Sequence, residues 1–302
     1  MAAKDFLNAS LNNDEGKYTV PAPLSKELIN NIIQFSGMLQ LLRKWPMSNL
    51  SEKIPLLSTA AAASYTGTEG NKKVSTHPAF GQIELLAKEL SATVVITEQL
   101  IENTNIDGLI EIIQEDLRNA FICAKEKEYA GYGGSVYASD LTTQTPADHI
   151  IAVGSYGDLL LALSAALGCI EEHGFFENIA WITHPAVKKS FRDLRDDNGQ
   201  LLLQPATANS PETLYGYPIK YSTYFEKVGS PAKYELFVAD WRKIIEGQRQ
   251  ELRLSRSSEA SVVLADGTTV NLWQDNMVGI KGWLYAAFEI ADVNCLAKVT
   301  GL

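Results

Sequence analysis

The chain has 302 residues, 46% of them hydrophobic and 21% charged, with a formal net charge of −10. That apolar content suits about two packed domains, and the acidic balance argues against nucleic-acid binding as the main task, because phosphate neutralisation needs a clustered excess of Lys and Arg. Cys123, Cys169 and Cys295 lack CxxC or Cys/His ligand spacing, so reduced, buried thiols are expected in place of a disulfide framework or zinc site.

Residues 1 to 23 are polar and end in VPAP, which predicts an extended arm without a core of its own. They show no charged n-region followed by an apolar run, so synthesis and folding in the cytoplasm are expected. From Leu24 to Leu42 apolar residues recur at 24, 28, 32 and 35 and again at 38, 39, 41 and 42, with Gly37 interrupting. This predicts a short amphipathic helix and a turn, stopped by Pro46. Residues 58 to 82, rich in small and polar residues, read as a long loop or extended hairpin, which compact domains rarely keep without a use. The alternation Ile83, Leu85, Ala87 then slips to Leu90, Ala92, Val94, Ile96, predicting a β-bulge near Lys88 and Glu89 and a bent strand.

Thr97 caps a short helix over EQLIEN, and Asp107 opens a long one whose buried stripe is Ile106, Ile110, Ile113, Leu117, Phe121 and Ala124. Asp107, Glu111, Glu115 and Asp116 come early and Lys125 and Lys127 late, as the helix dipole favours, and Gly131 to Gly134 end it. A helix of about 24 residues is about 36 Å long. Ser155 and Asp158 form a capping pattern before Leu159 to Leu167, a run apolar on nearly every side that belongs inside a domain and is too short to span a bilayer, which takes roughly 20 residues. Ile179 to Thr183 is a strand; Pro185 starts a helix with Val187, Phe191 and Leu194 on its apolar stripe. Asp197-Asn198-Gly199 is a turn, Gln204 to Thr213 an exposed loop, and LYGYPIKYS a strand. Tyr234 to Val238 and Glu251 to Leu254 are further strands separated by DWRKIIEGQ. Met277 to Ile290, with Val278, Ile280, Gly282, Leu284, Ala286, Phe288 and Ile290 on one side, is a long strand with one buried face.

Chemistry is sparse. His77, His149, His173 and His184 share no metal or acid/base spacing, and His184 before Pro185 reads as a residue that starts a helix. Glu171, Glu172, His173 and Glu177 fall at the polar end of an apolar helix and read as solvated. Gly131 to Gly134 follows a helix where a phosphate loop would open one. There is no G-x-S-x-G elbow or P-loop. Arg242, Lys243, Arg249, Arg253 and Arg256 interleave with Glu246, Glu251 and Glu259, as in a solvated or salt-bridging face. No catalytic, cofactor-binding or metal-binding set is expected, and residues 180 to 222 read as a structural module that points toward assembly.

Taken in order, these elements resemble the major capsid proteins of tailed bacteriophages with the Hong Kong 97 type fold, over nearly the whole chain from about residue 20. The points of resemblance are TGTEG at 66 to 70, HPAFGQI at 77 to 83, KELSATVVITEQLIEN, AWITHP with LRDDNGQLLLQP, LYGYPIKYS and the segment around Asn271, Trp273, Asn276 and Met277. The resemblance implies an α+β fold divided into an N-terminal arm and short helix (1–51), an E-loop (52–86), a P-domain with a spine helix (87–147), an A-domain (148–254) and C-terminal P-domain strands (255–302). It implies that Thr66, Gly67, Glu69, Lys72 and Lys73 lie in the E-loop over a neighbouring subunit, and that Pro205, Asn209, Pro211 and Glu212 form a loop at the capsomer axis.

The same resemblance implies a subunit that assembles into hexamers and pentamers of an icosahedral head shell around double-stranded DNA, held without sequence-specific binding and with no membrane. Formation in the host bacterial cytoplasm follows, with a portal protein and with a scaffolding protein, maturation protease and decoration protein as further partners. A chain starting at Met1 with about 20 residues before the recognisable fold favours a separate scaffolding protein. Some members of the family cross-link Lys to Asn with the help of a Glu. Here Lys72 and Lys73 lie in the loop and Asn276 precedes Met277, but Trp283 stands where the Glu is expected. A protonated Lys is a poor nucleophile, so a non-cross-linked shell is expected. The alternatives are an encapsulin-like nanocompartment shell, separated by particle contents, and a cytoplasmic α+β enzyme with an unrecognised site, separated by size in solution.

Overall fold

A computed structural model describes residues 36–59, 79–99, 106–134, 136–195, 199, 203–204, 211–249, 253–264 and 267–302. The chain runs through β1 (Arg43–Pro46), β2 (Ser51–Thr59), β3 (Ala79–Leu86) and β4 (Lys88–Thr97) into the long helix α1 (Ile106–Ala130). Then come α2 (Leu141–Gln144), β5 (Ile150–Ala152), α3 (Val153–Tyr156), α4 (Leu159–Glu172), β6 (Ile179–Thr183) and α5 (Lys188–Asp193). The remainder is β7 (Leu203–Gln204), β8 (Thr213–Leu214), β9 (Tyr217–Tyr221), β10 (Glu235–Asp240), β11 (Ile244–Gln248), β12 (Arg253–Ser257), β13 (Ser261–Val263), β14 (Thr269–Asn271), β15 (Met277–Ile290) and β16 (Leu296–Thr300).

One sheet is organised by β15. Along one edge this 14-residue strand pairs with β4 from Met277↔Thr97 to Ala286↔Lys88. The other edge is shared by β12 and β11, and β1 joins β11 in parallel. The alternation of Val278, Gly282, Leu284, Ala286, Phe288 and Ile290 puts these residues inside, and the last four share a core with Leu117, Phe121, Ile122 and Tyr129 of α1. Tyr129 stacks on Phe288 with ring centroids 4.3 Å apart. Each large side chain buried there contributes about 1.5–3 kcal/mol. At 25 residues, α1 is about 37 Å long. It ends at Gly131, whose φ of +91° is one that an L side chain avoids.

The second sheet has seven strands in the order β5-β16-β10-β6-β9-β8-β7. Strands β6 and β10 are buried at every position, as their continuous apolar runs require. Helix α4 lays Ala162, Leu163, Ala166, Leu167 and Ile170 against this sheet. Asp158 is its N-cap, accepting from the Leu160 N–H at 3.3 Å. His184 is the N-cap of the turn beginning at Pro185, its Nδ1 accepting from the Ala186 N–H at 3.0 Å.

Several expectations are corrected. The division at residue 254 does not follow the sheets: β11, placed in the 148–254 segment, pairs with β15, and β12, which also pairs with β15, straddles the boundary. Conversely β16, placed among the 255–302 P-domain strands, pairs with β10 and β5 in the seven-stranded sheet. The slip at Lys88 and Glu89 is not a bulge; Ala87 separates β3 from β4, which belong to different sheets. Pro46 ends no helix, since it lies in β1, an edge strand where its missing N–H is tolerated. LYGYPIKYS is two strands, because Tyr215 and Gly216 both have positive φ and make a two-residue hairpin turn. Ser155 sits in α3 and does not cap α4. Helix α4 has an outer face as well as an inner one: Leu161 is 58% exposed. Of the three thiols only Cys295 is buried. The short helix over EQLIEN, the one from Leu24 and the stretch before Ser36 fall wholly or largely outside the described residues.

Candidate functional site

Strands β2 and β3 form an antiparallel ribbon from Ser51↔Leu86 to Thr59↔Ala79, and among the described residues neither pairs with a third strand. Its root is packed: Ile54 and Leu85 join Met47, Ala87, Ile245 and Ala287 in a small cluster. The Ala87 N–H donates to the Leu50 carbonyl at 2.7 Å. Further out Phe80 faces solvent, 73% exposed, and at the root Leu86 is 53% exposed on the face opposite Leu85. A lone two-stranded ribbon is marginal in water. The candidate E-loop residues Thr66, Gly67, Glu69, Lys72 and Lys73 lie between its arms, outside the described residues.

Strands β7 and β8 pair Leu203 with Leu214 and Gln204 with Thr213 and form a second antiparallel hairpin at the edge of the seven-stranded sheet. Pro205 and Asn209 lie outside the described residues; Pro211 is exposed. Glu212 turns inward. Its carboxylate accepts from Lys188 Nζ at 2.7 Å, and the same ammonium lies 5.0 Å from the centre of the Tyr221 ring. Burial, reinforced by Glu212, pushes the Tyr221 phenol up. Glu212 therefore ties the hairpin to α5 and β9 and is not part of a free tip.

A third hairpin is the ribbon β13–β14, where Val263 is 66% exposed and Trp273, just beyond it, 72% exposed. Asn276, with φ of 51°, leads into β15 and is exposed. Trp283 is half-buried in that strand between Ser91 and Arg253. Seven residues of extended strand span about 23 Å, so position 283 is remote from Asn276 within one subunit.

Sequence reasoning missed the charges beneath these surfaces. Glu246 on β11 is fully buried and accepts from Lys125 Nζ at 2.8 Å, from Lys44 Nζ and from the Tyr129 hydroxyl at 3.3 Å. Burial alone would push its carboxyl up; the two ammonium groups outweigh burial and hold it at about 2. Burial draws the Lys44 amine down in spite of Glu246. Lys125, read as a cation at the helix end, is thus an interior partner, and Glu246 is not on a solvated face. Glu235 pairs with Lys298 at 3.0 Å and accepts from the Tyr132 hydroxyl at 3.0 Å, with both charged side chains under 10% exposed. Glu126 on α1 accepts from the hydroxyls of Ser36 and Ser222. The signal was present: Ile122, Lys125, Glu126 and Tyr129 repeat the i, i+3, i+4, i+7 spacing of a buried face.

These groups hold elements together and none has the geometry of a nucleophile beside a base. His149 Nδ1 lies 2.8 Å from the Leu296 carbonyl, Glu177 pairs with Arg242 on the surface, and among the described residues no His/Cys/Asp/Glu group could hold a metal ion. No helix among them is long and apolar enough to cross a membrane.

The family profile described as "Phage capsid family" matches residues 16–301. A major capsid protein of Klebsiella oxytoca phage phiKO2 is 24% identical over 254 residues, covering 79% of this chain, and this chain spans 57% of that relative's length. A major capsid protein of Staphylococcus phage 80alpha is 23% identical, covering 90% of this chain and 82% of its own. Among solved structures, one from Microbacterium phage Oxtober96 superposes with a TM-score of 0.67 at 18% identity, covering 99% of this chain and 98% of that one. One from Mycobacterium phage Cain gives 0.66 at 16% identity, with 88% and 90% covered. The capsid of an empty GTA particle gives 0.67 at 13% identity, with 99% and 97% covered.

Proposed function

The chain belongs to the phage capsid family and has its α+β Hong Kong 97 type fold, and on that premise we propose that it is the major capsid protein of a virion, assembling into hexamers and pentamers of an icosahedral head shell that encloses double-stranded DNA. The observation that carries this reading is the β2–β3 ribbon, which among the described residues packs at its root, pairs with no third strand and exposes Phe80 and Leu86. Chain ordered without a core of its own must recover its entropy cost, of order 1–2 kcal/mol per residue, from contacts elsewhere, and in a shell each neighbour supplies them.

In this reading the ribbon and the segment between its arms form the E-loop, α1 and the β15 sheet form the P-domain, and the seven-stranded sheet with β16 forms the A-domain. Thr66, Gly67, Glu69, Lys72 and Lys73 then reach the adjacent subunit. Pro205, Asn209 and Pro211 face the capsomer axis, and Glu212 braces that loop from behind. With Trp283 in place of a promoting Glu, the shell forms no isopeptide links through Lys72, Lys73 and Asn276. The net charge of −10 suits a container that holds DNA without gripping it. A portal protein completes the head, with scaffolding, protease and decoration proteins as further partners, and the shell forms in the host bacterial cytoplasm.

Electron microscopy and light scattering of the expressed chain test this. Capsomers or closed shells are expected. A monodisperse monomer, dimer or tetramer under all assembly conditions overturns it, and particles loaded with an enzyme in place of DNA point to a nanocompartment.

A further inference from the structure

The turn before β1 is fastened at three points. Gly37 lies against the end of β9, so close that a Cβ there would come within 2.2 Å of the Tyr221 carbonyl oxygen. Gln40 Oε1 accepts from Lys220 Nζ at 3.1 Å. The third fastening is Glu126, 1% exposed. Its carboxylate takes the hydroxyls of Ser36 and Ser222, the Met38 N–H at 3.2 Å and the Gly37 N–H. The two serines are themselves positioned, Ser36 Oγ by the Leu39 N–H at 2.8 Å and Ser222 Oγ by the Tyr224 N–H at 3.2 Å.

What sets Glu126 apart from Glu246 and Glu235 is that its partners are all neutral donors. Among the described residues no cation pairs with it. The titratable group facing it from the β9 side is Tyr224, on which Cys123 and Arg118 act from α1 itself, and the turn contributes only Ser36, Gly37 and Met38. A carboxylate so placed gains from hydrogen bonds but loses its hydration without a counter-charge.

We propose that Glu126 is a protonation-dependent clasp on the turn 36–42: neutral, it holds the turn down on α1 and β9, and ionised, it loosens the turn. The turn is the part that gives, because α1 is fixed by Lys125 and Tyr129 through Glu246, and β9 is held between β6 and β8. Burial pushes the Glu126 carboxyl up, and its four hydrogen bonds only partly offset this. An acid whose value is raised in the folded chain stabilises the fold below its ordinary range and loses that contribution as pH rises through the raised value. The clasp is therefore tightest in acid. Lys44, two strand residues further on and paired with the permanently ionised Glu246, keeps β1 in place throughout.

Hydrogen exchange followed by mass spectrometry on the full chain, from pH 4.5 to 8 and corrected for intrinsic rates, tests the clasp. Protection of the 36–42 peptide is expected to fall by up to about tenfold per pH unit between the ordinary and raised values, while the 43–46 peptide stays level. Glu126→Gln, neutral at every pH, should remove the dependence. Ser222→Ala, which takes one hydrogen bond from the ionised form, should move the midpoint to higher pH and serves if the glutamine variant does not fold. A flat wild-type profile, an undiminished dependence in Glu126→Gln, or an unmoved midpoint in Ser222→Ala overturns the proposal.

Discussion

Replacing Glu246 by Gln keeps the shape of the side chain and removes its charge, leaving Lys125, 5% exposed, without a counter-ion and Lys44 without its partner. Removing one member of a buried ion pair costs about 3–5 kcal/mol because the other charge stays buried. The lowered carboxyl points to a similar size. A carboxyl held at about 2 against an ordinary 4.5 contributes about 3 kcal/mol at neutral pH, at 1.36 kcal/mol per unit. The sign follows from the lowered value: the contribution is complete above the ordinary range and disappears as pH falls through about 2. Urea denaturation of the wild type and Glu246→Gln, followed by tryptophan fluorescence at pH 7 and again at pH 3, reads both numbers. The variant should lose about 3 kcal/mol or more at pH 7, a large share of a domain's 5–15 kcal/mol, and the gap should narrow at pH 3. Adding Lys125→Met should recover part of the loss. A deficit below about 1 kcal/mol, the range of an exposed pair, or a gap unchanged by acid would refute the reasoning.

Three further outcomes are expected. Phe80→Ala, at a 73% exposed position, should leave the subunit's melting temperature unchanged. It should raise the concentration needed for assembly about tenfold or more, since a Phe buried at each contact is worth about 1.5–3 kcal/mol; light scattering against concentration reads this, and unaltered assembly counts against the ribbon as a contact. Gly37→Ala drives a methyl into the Tyr221 carbonyl and should cost about 1–3 kcal/mol, visible as a lowered melting temperature, with a wild-type value contradicting the close approach. Purified particles boiled in detergent should run as a single subunit band, and a ladder of oligomers would show that Lys72 or Lys73 has joined Asn276.

What the sequence made legible was whatever depends on local pattern. The period-2 alternation of Met277 to Ile290 identified β15, the capped and Gly-terminated stripe to Ala130 identified α1, and His184-Pro185 marked the start of a turn of helix. What it hid depends on distant partners. Glu246 makes IIEGQ look like a surface segment until Lys125 and Lys44, 121 and 202 residues away, are brought to it. Likewise Lys125 fits a helix-end cation equally well, because local spacing does not say which sheet the helix lies on. LAKVT was invisible as an interior strand because Lys298 interrupts it, and that Lys is tolerated only beside Glu235. For the segment between β7 and β8 the sequence showed the composition but not that Glu212 folds back onto Lys188.

The place of β16 has a consequence in time. Among the described residues strand β5 pairs with β16 alone, through Ile150↔Lys298 and its neighbours, nearly 150 residues further along the chain. At 5–20 residues per second, translation leaves β5 without its partner for on the order of 10 s, while β6, β9 and β10 already have each other. A nascent chain therefore carries an unfinished sheet with one hydrogen-bonding edge of β10 open, and a ribosome that stalls before Leu296 releases a subunit whose apolar α4 has lost part of the surface it covers. Completion of that sheet therefore waits on β16.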